Sequence, residues 1–294
     1  MSKTPEKKTP QDPETTGHSW DGIEEFNNPL PRWWLWTFYA TIIWGIGYTI
    51  AYPAWPLVTQ ATPGLLGFST RANVQADIDR VTQQNAALTE RLETIELASI
   101  ADDPEAYGFA VNKGAAIFRS HCSQCHGSGA AGAVGYPNLL DDDWLWGGTL
   151  DEIAYTITHG IRNEQSPDTL WSQMPAFGEI LESEEIEQVV HHVRALSNQE
   201  HDATLAAAGE EVYLDQCAAC HMDDGSGDTF QGAPNLANSI WLYGGDIDTL
   251  IQTVTHSRFG VMPAWSQEFR PAQGLTQAQI NAVATYVHQL GGGQ

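Results

Sequence analysis

The sequence predicts an all-α protein: one N-terminal transmembrane helix followed by two tandem copies of one small helical domain. Three observations carry this expectation. Residues 33–58 form a run without charge, residues 71–98 carry a narrow helical stripe, and six short motifs after residue 101 occur twice in the same order. A chain of 294 residues is long enough for two small domains with extra segments.

Residues 1–32 are polar and rich in Pro, Thr, Glu and Lys. They cannot bury a core alone, so a flexible cytoplasmic tail is expected. No apolar stretch or small-residue cleavage site of a signal peptide lies within them. The following run, WWLWTFYATIIWGIGYTIAYPAWPLV, is predicted to cross a hydrocarbon layer about 30 Å thick. Trp33, Trp34 and Trp36 mark one end, Tyr52 and Trp55 the other, as aromatic residues do at the two water interfaces. Pro53 and Pro56 suit the helix exit. Lys3, Lys7, Lys8 and Arg32 precede the span, whereas the first base after it is Arg71, a bias that favours a cytoplasmic N-terminus. Residues 59–100 are expected to be a helical linker, with Val74, Ile78, Val81, Leu88, Leu92 and Ile95 on one stripe.

From residue 101 the chain repeats. Cys122-Ser-Gln-Cys125-His126 recurs as Cys217-Ala-Ala-Cys220-His221, Pro137-Asn138-Leu139 as Pro234-Asn235-Leu236, and Trp144-Leu-Trp-Gly-Gly as Trp241-Leu-Tyr-Gly-Gly. Thr158-His159 recurs as Thr255-His256, Met174-Pro-Ala-Phe as Met262-Pro-Ala-Trp, and Ile186 to Leu196 as Ile280 to Leu290. The expected domains are therefore 101–199 and 200–294. Each should hold a helix before its cysteines (108–121; 204–216) and a C-terminal helix crossing it (183–196; 276–290).

The net charge is −24, and residues 101–294 alone hold 26 Asp/Glu against six Lys/Arg, a balance of −20. Such a surface repels nucleic acid and attracts a cationic protein. The only four cysteines form the two C-x-x-C pairs, and the His after each pair makes them attachment sites for c-type haem. Two thiols one turn apart can add to the two vinyl groups on one porphyrin edge, and the following His then binds iron. Cofactors are thus two covalently bound haem c, with His126 and His221 as proximal ligands. A zinc site would need more ligands than each copy supplies, and a redox dithiol would not need the His.

A thioether in the sixth position raises the haem potential. Met1 is the first residue, and Met222 follows His221 too closely to reach the other ring face, which leaves Met174 and Met262, one per copy. His159 and His256 are the rival sixth ligands. The carbonyls of Pro137 and Pro234 are candidate acceptors for the proximal imidazoles. Trp144, Trp146, Trp241 and Tyr243 are candidate haem walls or propionate donors, and Arg162 and Arg258 candidate propionate partners. A six-coordinate haem has no vacant position for substrate, which favours electron transfer over catalysis. Haem is attached outside the bacterial cytoplasmic membrane, so the domains should be periplasmic.

The segment His18-Ser-Trp20-Asp21-Gly22-Ile23-Glu24-Glu25-Phe26-Asn27-Asn28-Pro29-Leu30-Pro31-Arg32-Trp33-Trp34 resembles the N-terminal segment of the dihaem P subunit (FixP-like) of cbb3-type cytochrome c oxidases. Single span, linker and two haem motifs match that family in order, and the resemblance implies class I cytochrome c domains. It also implies a subunit that takes electrons from a donor cytochrome c, soluble or membrane-bound, and passes them to the monohaem cytochrome c subunit and the catalytic haem–copper subunit. Oxygen reduction and proton pumping belong to those partners. The resemblance implies an inner-membrane location, with Trp20–Arg32 docked at the membrane surface. The competing readings are a membrane-anchored dihaem peroxidase, which needs one haem that opens a coordination position, and a free-standing electron shuttle.

Overall fold

The computed structural model describes residues 13–293, which divide between two compact units near residue 83. In the first unit, β1 (Thr15–Trp20) and β2 (Ile23–Phe26) pair antiparallel. Their connection is Asp21-Gly22, both at positive φ (51° and 85°). Asp-Gly suits a two-residue hairpin turn because both residues tolerate that backbone. The flexible tail expected over 1–32 is thus corrected for residues 15–26, whereas residues 1–12 lie outside the described residues.

Helix α1 (Arg32–Ala51) begins after Pro31 and stops at Tyr52, whose backbone is extended. Pro53 imposes that stop, since its ring disfavours helical geometry in the residue before it. The helix therefore covers 20 residues and not the whole 33–58 run. The amides of Leu65 and Leu66 return to the carbonyls of Ile50 and Ala51, both at 3.0 Å, and satisfy two of its last acceptors. Gly64 (φ +71°) makes this approach possible, because a side chain there would overlap the Ala51–Tyr52 backbone. Among the described residues no helix is long and apolar enough to cross a membrane.

The linker is two helices and not one. Helix α2 (Thr70–Gln84) and helix α3 (Ala86–Thr94) are separated by Asn85 at φ −97°, ψ 3°. The stripe divides with them: Val74, Ile78 and Val81 are exposed, whereas Leu92 is fully buried in the second unit.

The second unit consists of the haem-motif segments. Helix α4 (Pro104–Ile117) starts with Pro104 at its first position, and the Asp103 side chain accepts from the Ala106 amide. It runs through a π-turn (Phe118–Cys122) into the short α5 (Ser123–His126). Helix α6 (Leu150–His159) opens with a reciprocal Thr149/Glu152 capping box. Next come α7 (Ser183–Leu196), α8 (Ala203–Gln216), the short α9 (Ala218–His221), α10 (Ile247–His256) and α11 (Gln277–His288).

The helix lengths follow the sequence expectation, but the partnerships do not. Within 101–199, α4 should have been crossed by α7; it is crossed instead by α11, and α7 lies on α8. One lobe therefore joins α3, α4, α5 and α6 to residues 262–275 and α11, around Leu92, Ile100, Phe118, Ile280 and Val283. The other joins α7 to α8, α9 and α10 around Val189, Val193, Tyr213 and Ala218. The cause is local. Only six residues, 197–202, separate α7 from α8, and a short connection favours an antiparallel helical hairpin. Because both repeats carry the same helix faces, α11 fits the surface of α4 that α7 has left.

Two glycines mark the exchange. Gly114 and Gly209 each lie eight residues before the first cysteine of their motif. A side chain on Gly114 would overlap the backbone of Ala282 and the Tyr286 side chain, and one on Gly209 would overlap the backbone of Gln188 and Val189. Ala282 and Gln188 are equivalent positions of the repeat, so the same close crossing is made twice, each time with the opposite copy.

Candidate functional site

Each haem motif leaves its helix in the same way. His126 is the last residue of α5, followed by Gly127 at φ 78°, ψ 156°. His221 ends α9, followed by Met222 at φ 64°, ψ 159°, a region of backbone space that is otherwise nearly confined to glycine. The Tyr213 hydroxyl, fully buried, donates to the Met222 carbonyl at 2.8 Å and holds this turn. The chain then folds back under each imidazole: the Gly132 amide donates to the His126 carbonyl at 2.9 Å, and the Gly227 amide to that of His221 at 3.0 Å.

This loop brings a proline carbonyl to each ring. His126 Nδ1 lies 3.1 Å from the Pro137 carbonyl oxygen, and His221 Nδ1 lies 2.9 Å from that of Pro234. The acceptor requires a proton on Nδ1, which leaves the Nε2 lone pair free for a metal. Burial lowers the pKa of both imidazoles, partly opposed by the carbonyl contact, and so favours the neutral form that ligation needs. Cys122 and Cys217 are half-buried, and desolvation, with smaller contributions from Cys125 and Cys220, pushes each thiol up to about 11. All four thiols are free of disulfides.

Two buried indole N–H groups, Trp146 Nε1 and Trp241 Nε1, have no hydrogen-bond partner among the described residues. An orphaned buried donor is costly, about 1–3 kcal/mol. In a lobe built around C-x-x-C-H, the missing acceptor fits a haem propionate. The residues present therefore suit the group that the motifs imply. Trp144 differs, since its indole donates to the Gly292 carbonyl. Arg162 is engaged by backbone: Nε donates to the Gly260 carbonyl at 2.7 Å and Nη1 to that of Ser172 at 2.8 Å. Arg258 lies over the Tyr243 ring at 5.7 Å.

The rival sixth ligands are placed differently from the methionines. His159 Nδ1 is 2.9 Å from Ser166 Oγ, with its ring against Tyr155 and Phe269. His256 is exposed at the end of α10. Met174 and Met262 are half-buried. Met262 packs beside Cys122 and Trp144 against the core of the α4 lobe.

Three family models match the chain. They are the N-terminal domain of cytochrome oxidase-cbb3, FixP (residues 12–59), cytochrome c oxidase, cbb3-type, subunit III (109–193), and cytochrome c (206–291). The chain is 57% identical over 296 residues to a cbb3-type cytochrome c oxidase subunit CcoP of Cereibacter sphaeroides, with all of both chains covered. The chain belongs to the CcoP/FixP family. A CcoP of Rhodobacter capsulatus is 52% identical, again over the full length of both. A FixPc of Rhizobium leguminosarum bv. viciae is 48% identical over 95% of this chain and 96% of its own. With two cytochrome c domains, this family member carries two covalently bound haem c groups.

The hairpin did not emerge from the motif analysis, although Asp21-Gly22 signals it, whereas Trp146 and Trp241 were already among the candidate propionate donors. The exchange of helices left no mark in motifs that are the same in both copies.

Proposed function

We propose that the protein is the dihaem electron-transfer subunit of a cbb3-type cytochrome c oxidase, receiving electrons from a donor cytochrome c and delivering them to the monohaem and haem–copper subunits. The observation that carries this reading is the pair of imidazoles, His126 and His221, each held by a proline carbonyl through Nδ1, in a chain related over its whole length to CcoP subunits. A haem iron supplies a one-electron couple. The protein's own part would be to hold it: Cys122, Cys125, Cys217 and Cys220 would tether the group, and His126, His221, Met174 and Met262 would ligate its iron. A soft thioether favours the reduced iron, and ligands on both faces leave no position for substrate.

Helix α1 supports a membrane anchor. Its 20 residues span about 30 Å and carry no charge after Arg32. Four Trp and two Tyr lower its mean hydropathy, and these residues favour the interfaces of a bilayer. The Lys/Arg bias orients the N-terminus to the cytoplasm and the haem lobes to the periplasm. The acidic surface of 101–294 suits a cationic donor.

Purification from membranes in mild detergent, with haem staining and subunit identification, tests the reading. Co-elution of a haem-stained chain with the other oxidase subunits is expected. Solitary elution, or a mature chain without the mass of two haems, overturns it.

A further inference from the structure

We infer that residues 53–68 make a second contact with the lipid bilayer: a folded loop that sets Leu57, Val58, Leu65 and Leu66 into the acyl–headgroup boundary where α1 ends. This rests on the proposed anchoring by α1 and goes beyond it, because a simple anchor would hand the chain straight to water.

Three observations carry the inference. The first is composition. The stretch without a charged side chain does not stop with the helix at Ala51 but continues to Thr70, and the first charge is Arg71. Within this extension Trp55, Leu57, Val58, Leu65, Leu66 and Phe68 are all exposed, Val58 completely and Leu65 by 83%. So much bare apolar surface in one short segment marks an interaction site.

The second is depth. The 20 residues of α1 rise about 30 Å, the thickness of a hydrocarbon layer, so Ile50 and Ala51 stand at its edge. The amides of Leu65 and Leu66 donate to those two carbonyls. The backbone thus fixes both leucines at the level of the boundary. The Tyr52 ring stacks on Tyr48 at 4.8 Å and meets Phe68 edge-on at 5.5 Å. Both ends of the loop are therefore pinned to the last turns of the helix, and tyrosines favour this level of a bilayer.

The third is the backbone. Peptide groups that enter lipid need partners within the protein. Pro53, Pro56 and Pro63 have no N–H to satisfy. Thr62 Oγ1 accepts from the Trp55 amide at 3.2 Å, and the Thr62 amide donates to the Trp55 carbonyl at 2.9 Å. The Leu57 amide donates to the Gln60 carbonyl at 2.7 Å. A hydroxyl that could recognise a protein is thus turned inward. Protein partners are met through a polar rim around an apolar centre, and this segment supplies no charged group for one. Lipid, which asks only for apolar surface, is the occupant that fits.

The test uses the full-length chain in its oxidase complex, in vesicles of phosphatidylcholine and phosphatidylglycerol. Ile43→Cys, Val58→Cys and Leu66→Cys each receive a nitroxide, and its relaxation is read against oxygen, which enters lipid, and a nickel chelate, which stays in water. At 58 and 66 oxygen should relax the label more strongly than nickel, with a smaller excess than at 43, the middle of α1. Dominant nickel relaxation at 58 and 66 with oxygen still dominant at 43 overturns the loop contact and leaves the anchor intact. An immobile label at 58 and 66 that neither reagent reaches also overturns it, since a protein surface then covers the loop. Dominant nickel relaxation at 43 overturns the anchor itself.

Discussion

Gly114 and Ala282 touch backbone to backbone, 168 positions apart in a chain whose repeat would have paired Gly114 with Gln188. This contact sets the separation of α4 and α11. Gly114→Val would force the helices apart or push Val283 and Ile280, both fully buried, out of place. Overpacking of this kind costs about 1–3 kcal/mol. Thermal unfolding followed through the haem absorption should show the loss for the His126 centre first, and an unchanged midpoint would refute the tight crossing.

Met222 occupies a backbone conformation that Gly127 adopts in the other copy. Such a conformation costs a non-glycine residue about 1–3 kcal/mol. Part of that is offset by the greater freedom of glycine when unfolded, about 0.5–1 kcal/mol. Met222→Gly should therefore stabilise the protein by about 1 kcal/mol, measured by denaturant unfolding. Because Met222 takes no part in the proposed ligation, the haem spectrum should not change.

Acid should weaken the α8–α10 lobe through its helix caps. Asp202 caps α8 and Asp246 caps α10; backbone hydrogen bonds from Leu205 and Thr204 lower the Asp202 carboxyl pKa, and side-chain and backbone hydrogen bonds from Thr249 lower that of Asp246. The unfolded carboxyls bind protons first, at about pH 3.9. Stability is thus complete above that range and is lost as pH falls through the lower, folded values. Asp202→Asn with Asp246→Asn keeps the caps and should flatten this part of the acid limb. Melting curves between pH 5 and 2 check it, and an unaltered slope counts against the cap assignment.

Trp241 Nε1 has no hydrogen-bond partner among the described residues. If it serves a haem propionate, removing the N–H raises that carboxyl's pKa. A hydrogen bond to a charged group is worth about 1.5–3 kcal/mol, so the pH at which the haem potential begins to vary should rise by about one to two units in Trp241→Phe. Potentiometric titration across pH reads this shift, and an unmoved profile would assign the indole to packing alone.

Electron transfer from a cationic donor cytochrome should slow as salt rises. Screening shortens the field of the 26 acidic residues after position 101 to about 8 Å at physiological ionic strength. The second-order rate should drop about tenfold or more from low salt to that level. Stopped-flow measurement with a basic cytochrome c tests it, and a rate indifferent to salt would point to a donor that docks by apolar contact.

Much of this architecture was legible before any coordinates. Cys122 to His126 and Cys217 to His221 named their chemistry through spacing, and the carbonyls of Pro137 and Pro234 were expected acceptors because a ligating imidazole usually donates its other N–H to a backbone carbonyl. Tyr52 ends α1 as Pro53 demands. The pairing of helices was not legible, for a physical reason. Ile186 to Leu196 and Ile280 to Leu290 offer the same apolar face, so α4 and α8 accept either one. The length of the connection decides, and 197–202 is short enough to tie α7 to α8. The β1–β2 hairpin was obscured by the polar composition around Asp21-Gly22, since nothing there is buried.

The course of α11 also bears on how the chain is made. A ribosome releases residues 104–126 long before residues 277–288 exist, so the first haem-motif helix must wait, uncovered, through the synthesis of the entire second lobe. A nascent chain that ends between His256 and Val283 therefore holds every helix of the second lobe but lacks the helix that closes the first.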